Sequence, residues 1–204
     1  MIFSSVSPHM SHHLRLTYLI LSATLIASAI IYPQLPAQIA SHWDINNHAT
    51  GQMPKAFGVF LLPAIMVLVA AFGPRLKNFD GYWLSIIAFL AYVHVLTLVW
   101  NMGARFNFMT LLVPAFAAFM YALGALLQTT PQNFYVGIRT PWTLKDADVW
   151  RRTHEVGGRM YKIAAAVSLA GLLAGNPQIT VALLIAPIAI ASFGAMIYSY
   201  KISK

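Results

Sequence analysis

The stretch "LTYLILSATLIASAIIY", residues 16–32, contains no charged residue and is close to the length needed to cross a lipid bilayer. The hydrocarbon core requires roughly 20 apolar residues in a helix. The run exceeds the roughly 7–15 apolar residues of a signal peptide, and no clear small-x-small cleavage site follows it. We therefore interpret it as a membrane anchor.

The composition of the whole chain agrees with this interpretation. Of its 204 residues, 59% are hydrophobic and 9% are charged, against about 45–50% and about 25% in soluble proteins. Cysteine is absent, which excludes disulfides, thiol catalysis and zinc sites built on thiolates. The sequence also lacks a long polar segment that could form a second, soluble domain.

Five further uncharged stretches follow, at residues 56–73, 82–101, 108–128, 163–176 and 178–200. The stretch at 163–176 is short, and we expect its helix to begin at Tyr161 or earlier. The sequence therefore predicts an all-α integral membrane protein with six transmembrane helices. Residues 1–13 are interpreted as a disordered N-terminal tail, and residues 14–204 as a single six-helix membrane domain.

Basic residues fall almost entirely on one side of these six spans. Lys55 and Arg105 lie on one side. The remainder of the 13 Lys and Arg residues lie on the other: Arg15, Arg75, Lys77, Arg139, Lys145, Arg151, Arg152, Arg159, Lys162, Lys201 and Lys204. Cytoplasmic segments retain Lys and Arg. Both termini and the loop 129–162 are thus predicted to be cytoplasmic, and the net charge of +8 reflects topology, with no direct nucleic-acid partner.

The first outer loop, residues 33–55, has candidate ligand-binding residues. His42, Asp44 and His48 could bind a metal ion, but their spacings of two and four are also compatible with a turn-rich surface loop. We expect no metal ion and no other cofactor.

Few polar residues lie inside the predicted spans. No Asp, Glu, Lys or Arg is found deep in any of them, although buried charges are typical of ion-coupled transporters. His94 in the third span could be a proton relay or a neutral, hydrogen-bonded packing residue. Both interpretations stay open.

The cytoplasmic loop contains the most specific local pattern. Thr143 and Asp146 resemble a capping box, which predicts a helix beginning near Leu144. Oppositely charged residues follow at i,i+4 spacing: Asp148 with Arg152, Arg151 with Glu155, and Glu155 with Arg159. The opposing stripe consists of Trp150, His154, Gly157 and Tyr161. This pattern predicts a short cytoplasmic interfacial helix before the fifth span, with Gly157-Gly158 allowing a bend or a close contact.

Two residues of this loop could carry chemistry. Arg139 could bind phosphate, a carboxylate or backbone carbonyls, or be an ordinary positive-inside arginine. His154 beside Glu155 could indicate acid–base chemistry, but no nucleophile, second carboxylate or metal-ligand set accompanies it. We therefore predict no catalytic residue and a protein that is not an enzyme.

The same loop resembles the C-terminal signature of the SdpI family, bacterial membrane proteins named for immunity to a secreted toxin. The residues that carry the resemblance are Asn133, Gly137-Ile138-Arg139-Thr140-Pro141-Trp142-Thr143-Leu144, Trp150, Thr153-His154 and Gly158.

A second resemblance covers residues 14–73, which are similar to the DUF1648 module found ahead of that signature. The residues that carry it are Pro33, Leu35-Pro36, Ile39, His42-Trp43 and Lys55. Asn47 stands where Gly is expected, and Thr50 where Asp is expected. Because Asn tolerates the left-handed conformation, we expect the turn at Asn47 to be kept.

The resemblance implies a six-span protein of the bacterial plasma membrane that protects its producer from a secreted, membrane-active peptide toxin. It also implies signalling, in which the toxin-engaged protein holds a small cytoplasmic transcriptional repressor at the membrane. Candidates for toxin binding are His42, Trp43 and Lys55. The cytoplasmic signature residues would keep the shape of the bundle or dock the repressor.

The sequence is also compatible with two other classes of function. The chain could be a membrane enzyme or transporter acting on a lipid or small molecule through Arg139, His154 and His94. It could also be a structural subunit of a larger membrane complex.

Overall fold

The computed structural model describes residues 11–76 and 78–204 of the chain. Six of the helices in these residues are long and apolar enough to cross a membrane. They are α1 (His12–Ile31), α2 (Lys55–Phe72), α3 (Asp80–Asn101), α4 (Phe108–Leu127), α6 (Ala147–Ala170) and α7 (Pro177–Ile202). A short helix, α5 (Pro141–Lys145), precedes α6. The chain is thus a multi-pass membrane protein with six candidate spans, as predicted.

Polar side chains cap the starts of several helices. The hydroxyl of Ser11 accepts a hydrogen bond from the backbone N–H of Leu14 at 3.2 Å, so α1 begins at His12, inside the segment interpreted as a tail. Residues 1–10 of that segment lie outside the described residues. Asn107 and Asn176 cap α4 and α7 in the same way. Such caps satisfy backbone N–H groups that a helix leaves free.

The outer loop is not purely irregular, and the all-α prediction is wrong here. Strands β1 (Gln38–Trp43) and β2 (Ala49–Pro54) form an antiparallel hairpin. Its register is irregular on both sides of His42. Packing on the bundle stabilises the hairpin, because Ile39 is fully buried against α2 and α3.

The long helices pack in two groups of three. In the first group, α1, α2 and α3 enclose a core that includes Leu21, Met66 and Ile87. In the second group, α4, α6 and α7 pack around Met120 and Ala165. The contact of α3 with α4 joins the two groups.

The two ends of the bundle differ in charge. One end, which we call the signature end, carries the starts of α1 and α3 and the loop 129–146. There the Ser11 hydroxyl donates to the Asp80 carboxylate at 2.6 Å and joins the starts of α1 and α3. The opposite end, the hairpin end, carries the hairpin and the α3–α4 loop. Among the described Lys and Arg residues, only Lys55 and Arg105 lie at the hairpin end. This separation follows the distribution expected from the sequence.

The helix predicted near Leu144 and the fifth span are one continuous helix, α6. The predicted capping box is wrong. Thr143 lies inside α5 and forms a capping box with Thr140, and Asp146 caps α6 by accepting bonds from the N–H groups of the first turn. Pro141 explains the difference, because proline favours the first position of a helix and starts α5 one turn earlier.

Candidate functional site

His154 is the central residue of the signature end. Its buried ring accepts a hydrogen bond at Nε2 from the backbone N–H of Ile138 (2.9 Å), and Nδ1 lies 2.9 Å from the Trp150 carbonyl oxygen. Since Nε2 is an acceptor, Nδ1 carries the proton and donates to that carbonyl. The imidazole is therefore a neutral tautomer with both nitrogens occupied. It also stacks on the Trp150 ring, with centroids 3.9 Å apart.

Gly137 is required by this arrangement. Its φ is +122°, a region that side chains rarely adopt. A Cβ at Gly137 would also collide with Nε2 of His154 and lie 3.1 Å from the Trp150 ring. Glycine is therefore the residue that both the backbone conformation and the available space require at this position.

Two buried threonines close the segment around Ile138. Thr143 Oγ1 donates to the Ile138 carbonyl (2.8 Å) and accepts from the backbone N–H of Thr140 (2.9 Å). The Thr140 hydroxyl lies 3.0 Å from the hydroxyl of Ser199 on α7. The segment is thereby fastened to the last helix.

The two signature tryptophans anchor the segment to distant elements. Trp150 Nε1 donates to the Thr130 carbonyl at 2.8 Å, and the Thr130 hydroxyl lies 2.6 Å from that of Tyr82 on α3. Trp142 packs against Tyr200 of α7, with ring centroids 5.0 Å apart. The signature end therefore ties both groups of helices together.

Gly158 sits where α6 crosses α4. A Cβ there would lie too close to the Gly124 carbonyl oxygen, and a Cβ at Gly124 would lie 2.6 Å from the Gly158 carbonyl oxygen. Small residues of this kind allow membrane helices to approach closely. The close contact predicted for Gly157-Gly158 is confirmed.

The remaining signature residues shape the loop before α5. Asn133 accepts bonds from the N–H groups of Tyr135 and Val136, both at 2.7 Å. Arg139 is exposed and donates to the Phe134 carbonyl at 2.8 Å. The Phe134 and Tyr135 side chains project from this loop and are 71% and 63% exposed.

The predicted charge pairs of α6 are present on its exposed face. Arg151 and Arg152 lie 2.6 Å and 3.6 Å from Asp148, and Glu155 lies 3.9 Å from Arg151 and 2.5 Å from Arg159. Exposed pairs of this type contribute little to stability. The position of α6 is instead fixed by its buried face, which contains Trp150 and His154.

Two asparagines dock the hairpin on the bundle. Asn101 of α3 accepts from the N–H of Ala40 (2.7 Å) and donates to its carbonyl (3.0 Å). Asn47 accepts from the N–H of Phe108 (2.7 Å) and donates to the Phe106 carbonyl (2.9 Å). Asn47 has φ +68°, so the left-handed turn is kept.

Of the predicted outer residues, His42 and Trp43 are neighbours in β1. His42 is exposed and its Nδ1 lies 2.9 Å from the Ser41 hydroxyl. The Trp43 ring stacks on Phe108 (centroids 4.0 Å apart) and meets the edge of Trp100 (5.7 Å). The Trp43 indole N–H is buried and has no acceptor among the described residues.

Lys55 lies apart from this pair, at the start of α2. Its Nζ donates to the carbonyls of Tyr32 (3.4 Å) and Leu35 (3.3 Å) and lies over the Tyr32 ring. Lys55 therefore binds the residues that directly follow α1. The structure does not bring it together with His42 and Trp43.

The three candidate metal ligands do not form a cluster. Asp44 accepts bonds from the N–H groups of Asn46 (2.9 Å) and His48 (2.7 Å), and its other oxygen lies 3.2 Å from His48 Nδ1. The backbone bond from His48 is the main cause that lowers the pKa of Asp44 below its usual value. His42 does not join them. Within residues 11–76 and 78–204, no three His, Cys, Asp or Glu side chains could share a metal ion.

His94 is buried between α1 and α3. Its Nε2 lies 2.8 Å from the Ser28 hydroxyl, which itself donates to the Thr24 carbonyl. Nε2 therefore carries the proton. Nδ1 is buried without a partner in the described part of the chain.

Sequence reasoning did not assign roles to Thr130, Ser199 or Asn101. Each is a single polar residue whose partner lies far away in the chain. For Asn101 and Ser199 the available signal was a polar side chain inside a membrane helix, because such a side chain must find a hydrogen bond there. Thr130 lies in the loop after α4 and carried no such signal.

Comparisons with known proteins match both parts of the chain. Residues 129–199 match the SdpI/YfhL protein family, and residues 19–67 match DUF1648, a domain of unknown function. The immunity protein SdpI of Bacillus subtilis (strain 168) is 27% identical over 145 residues, which cover 67% of this chain and 70% of that protein. No solved structure matches the chain. The chain is therefore a multi-pass membrane protein related to the SdpI/YfhL family, with a DUF1648 region ahead of the part that carries the family match.

Proposed function

We propose that the protein is an immunity protein of the bacterial plasma membrane. It binds or counters a secreted, membrane-active peptide at its hairpin end, and its signature end keeps the bundle in shape or docks a cytoplasmic repressor. The observation that carries this proposal is the similarity to the immunity protein SdpI, which extends over 145 residues.

The proposed orientation places both termini and residues 129–162 in the cytoplasm. It is supported by the charge difference between the two ends, since basic residues are retained on the cytoplasmic side. The hairpin then faces outward, where a secreted peptide arrives. The chain has no cysteine, so single cysteines test the orientation directly. An impermeant maleimide should label Thr50→Cys in intact cells and Arg151→Cys only after permeabilisation; the reverse pattern would overturn the orientation.

The hairpin offers a suitable surface for a peptide. In the described residues its sheet has two strands. The backbone of β1 is bound to α3 through Ala40 and Asn101, so the second edge of β2 is the one available for pairing. Extended peptides bind open sheet edges by adding a strand. His42, an exposed residue of β1, is the proposed side-chain contact.

The signature end has a surface that suits a cytoplasmic partner. Phe134 and Tyr135 are exposed aromatic residues, and the guanidinium of Arg139 lies beside them. Aromatic residues and arginine are enriched at protein interfaces. We assign this surface to the repressor or to another soluble partner.

The alternative of an enzyme or transporter acting through Arg139, His154 and His94 receives no support from the geometry. Both nitrogens of His154 are occupied by backbone groups. Arg139 is at the signature end and His94 is between α1 and α3, so the three residues do not converge on one site. We therefore propose a binding role and no catalysis.

A survival assay tests the proposal. Cells sensitive to secreted bacterial peptide toxins are transformed with the wild-type gene or with His42→Ala, Arg139→Ala or His48→Ala. His48 is the matched control, because it is an exposed histidine of the same loop outside the motif. We expect wild-type and His48→Ala to protect, and His42→Ala to lose protection at equal membrane abundance. Absence of protection by the wild-type protein against every toxin tested would refute the immunity role.

A further inference from the structure

A cleft of about 390 Å³ lies beneath the hairpin, between α2, α3 and α4. Leu61, Leu62 and Leu112 line its apolar floor, and His42 and Trp43 line its roof. The floor residues are within two turns of the helix ends at the hairpin end, a depth of roughly 10 Å. The cleft is thus placed in the membrane leaflet nearest the hairpin.

The roof contains a buried donor without an acceptor. The Trp43 ring is held by Phe108 and Trp100, yet its indole N–H has no acceptor within the described residues. Trp150 shows the usual arrangement, in which the indole N–H donates to a carbonyl oxygen. A buried unpaired N–H is costly, and because Trp43 also lines the cleft, an acceptor supplied by a molecule in the cleft would remove that cost. Trp83 Nε1 is also buried without an acceptor in the described residues, but Trp83 does not line the cleft.

The chemistry of the lining defines that molecule. The roof supplies the Trp43 indole N–H and the His42 imidazole, and no carboxylate is present among the described residues that line the cleft. The matching ligand has a hydrogen-bond acceptor on a long apolar stem. We propose that the cleft binds a membrane phospholipid, with an acyl chain on the leucine floor and a headgroup or ester oxygen accepting from Trp43 Nε1.

A lipid fits better than a peptide segment. The cleft shares Leu61 with the outward face of α2, where Phe57, Phe60 and Leu61 are 70%, 40% and 48% exposed and would face acyl chains in a membrane. A peptide would bring backbone N–H groups as well as carbonyls, and the leucine floor cannot accept bonds from them. The cleft shares His42 with the proposed peptide surface, but the test of lipid binding below does not depend on the immunity role.

A second groove provides an internal control. It has a volume of about 440 Å³ and lies between α6 and α7, where its described lining is apolar throughout, including Ile163, Val167 and Leu183. Non-specific lipid around the protein would occupy the cleft and this groove equally. Specific binding would favour the cleft.

Photo-crosslinking tests the proposal on the full chain in phosphatidylglycerol nanodiscs. A phosphatidylglycerol with a diazirine in its acyl chain is activated, and labelled residues are mapped by mass spectrometry. We expect stronger labelling at Leu112 than at Val167. Trp43→Phe keeps the aromatic ring and should lower cleft labelling about two- to tenfold, the effect of one hydrogen bond. Labelling of the groove should not change.

Filling variants give a second reading. Leu112→Trp should displace lipid from the cleft alone, and Ala186→Trp should displace it from the groove alone. The labelling of the cleft and of the groove can also be compared in the wild-type protein alone. This comparison still tests the proposal if a variant fails to fold. Equal labelling of both, or cleft labelling unchanged by Trp43→Phe and Leu112→Trp, would overturn the proposal. Labelling of the cleft by a photoreactive apolar peptide but not by the lipid would also overturn it.

Discussion

The backbone N–H of Ile138 donates a hydrogen bond to Nε2 of His154 across 2.9 Å, although the two residues are 16 positions apart. This bond closes the loop before α5 onto the start of α6. It also consumes the nitrogen that an acid–base histidine would present to a substrate. We therefore propose a structural role for His154, which measurements of stability test directly.

His154→Ala should destabilise the protein by about 2–4 kcal/mol, because it leaves the Ile138 N–H unpaired and removes a buried ring. His154→Gln should recover part of this loss by restoring an acceptor. SDS-titration unfolding in mixed micelles measures both. Arg151→Ala, on the exposed face of the same helix, is the control and should change stability little. Equal effects of His154→Ala and Arg151→Ala would contradict the assigned role.

Gly137→Ala should be more destabilising than Gly103→Ala. Both glycines have φ above +100°, so both substitutions introduce backbone strain of about 1–3 kcal/mol. A Cβ at Gly103 meets nothing within 4 Å, whereas a Cβ at Gly137 collides with His154. Because both variants share the backbone strain, the difference between their losses in free energy of unfolding gives the cost of the collision with His154. Two equal values would mean that His154 does not occupy this position.

Gly158→Ala should weaken the packing of α4 on α6 by about 1–3 kcal/mol, because the new methyl group meets the backbone of Gly124. Gly194→Ala is the matched control in α7. Its methyl group meets the flexible end of Met160, and the alanine improves helix propensity by up to about 1 kcal/mol. Thermal unfolding should therefore shift down for the first variant and not for the second. A similar downward shift for both would argue against the close crossing.

Asn47 separates two contributions to hairpin docking. Asn47→Gly keeps the left-handed turn and loses the bonds to Phe106 and Phe108, at a cost of about 1–3 kcal/mol. Asn47→Ala adds left-handed strain of about 1–2 kcal/mol. Hydrogen exchange at the Phe108 amide should be fastest in Asn47→Ala and intermediate in Asn47→Gly. Unchanged exchange in both variants would show that Asn47 does not dock the turn.

The six spans could be predicted because each must satisfy its backbone inside the bilayer, which demands a long apolar helix. The ion pairs and the buried stripe of α6 could be predicted for a similar reason, since residues four apart lie on one face. The helix of the fifth span was expected to begin at Tyr161 or earlier, and it begins at Ala147. The charged residues of its first turns are tolerated because they lie on the exposed face, while Trp150 and His154 are buried.

The hairpin could not be predicted, because its two strands have six residues each and their stability comes from elsewhere. Asn101 binds the backbone of Ala40 from 61 positions away, and no local pattern encodes that pairing. The capping box failed for a related reason. Thr143 and Asp146 have the right spacing for one cap, but each serves a different helix because Pro141 begins α5.

Site-specific photo-crosslinking of the secreted peptide to the protein in intact cells shows whether the peptide binds at the hairpin end. Thr50→Cys on β2 and Lys145→Cys at the signature end each carry the same photoreactive label, and the peptide is added outside. We expect crosslinks from Thr50→Cys, their loss when His42→Ala is combined with it, and none from Lys145→Cys. Crosslinks from Lys145→Cys alone, or from neither position with a toxin against which the protein protects, would contradict binding at the hairpin end.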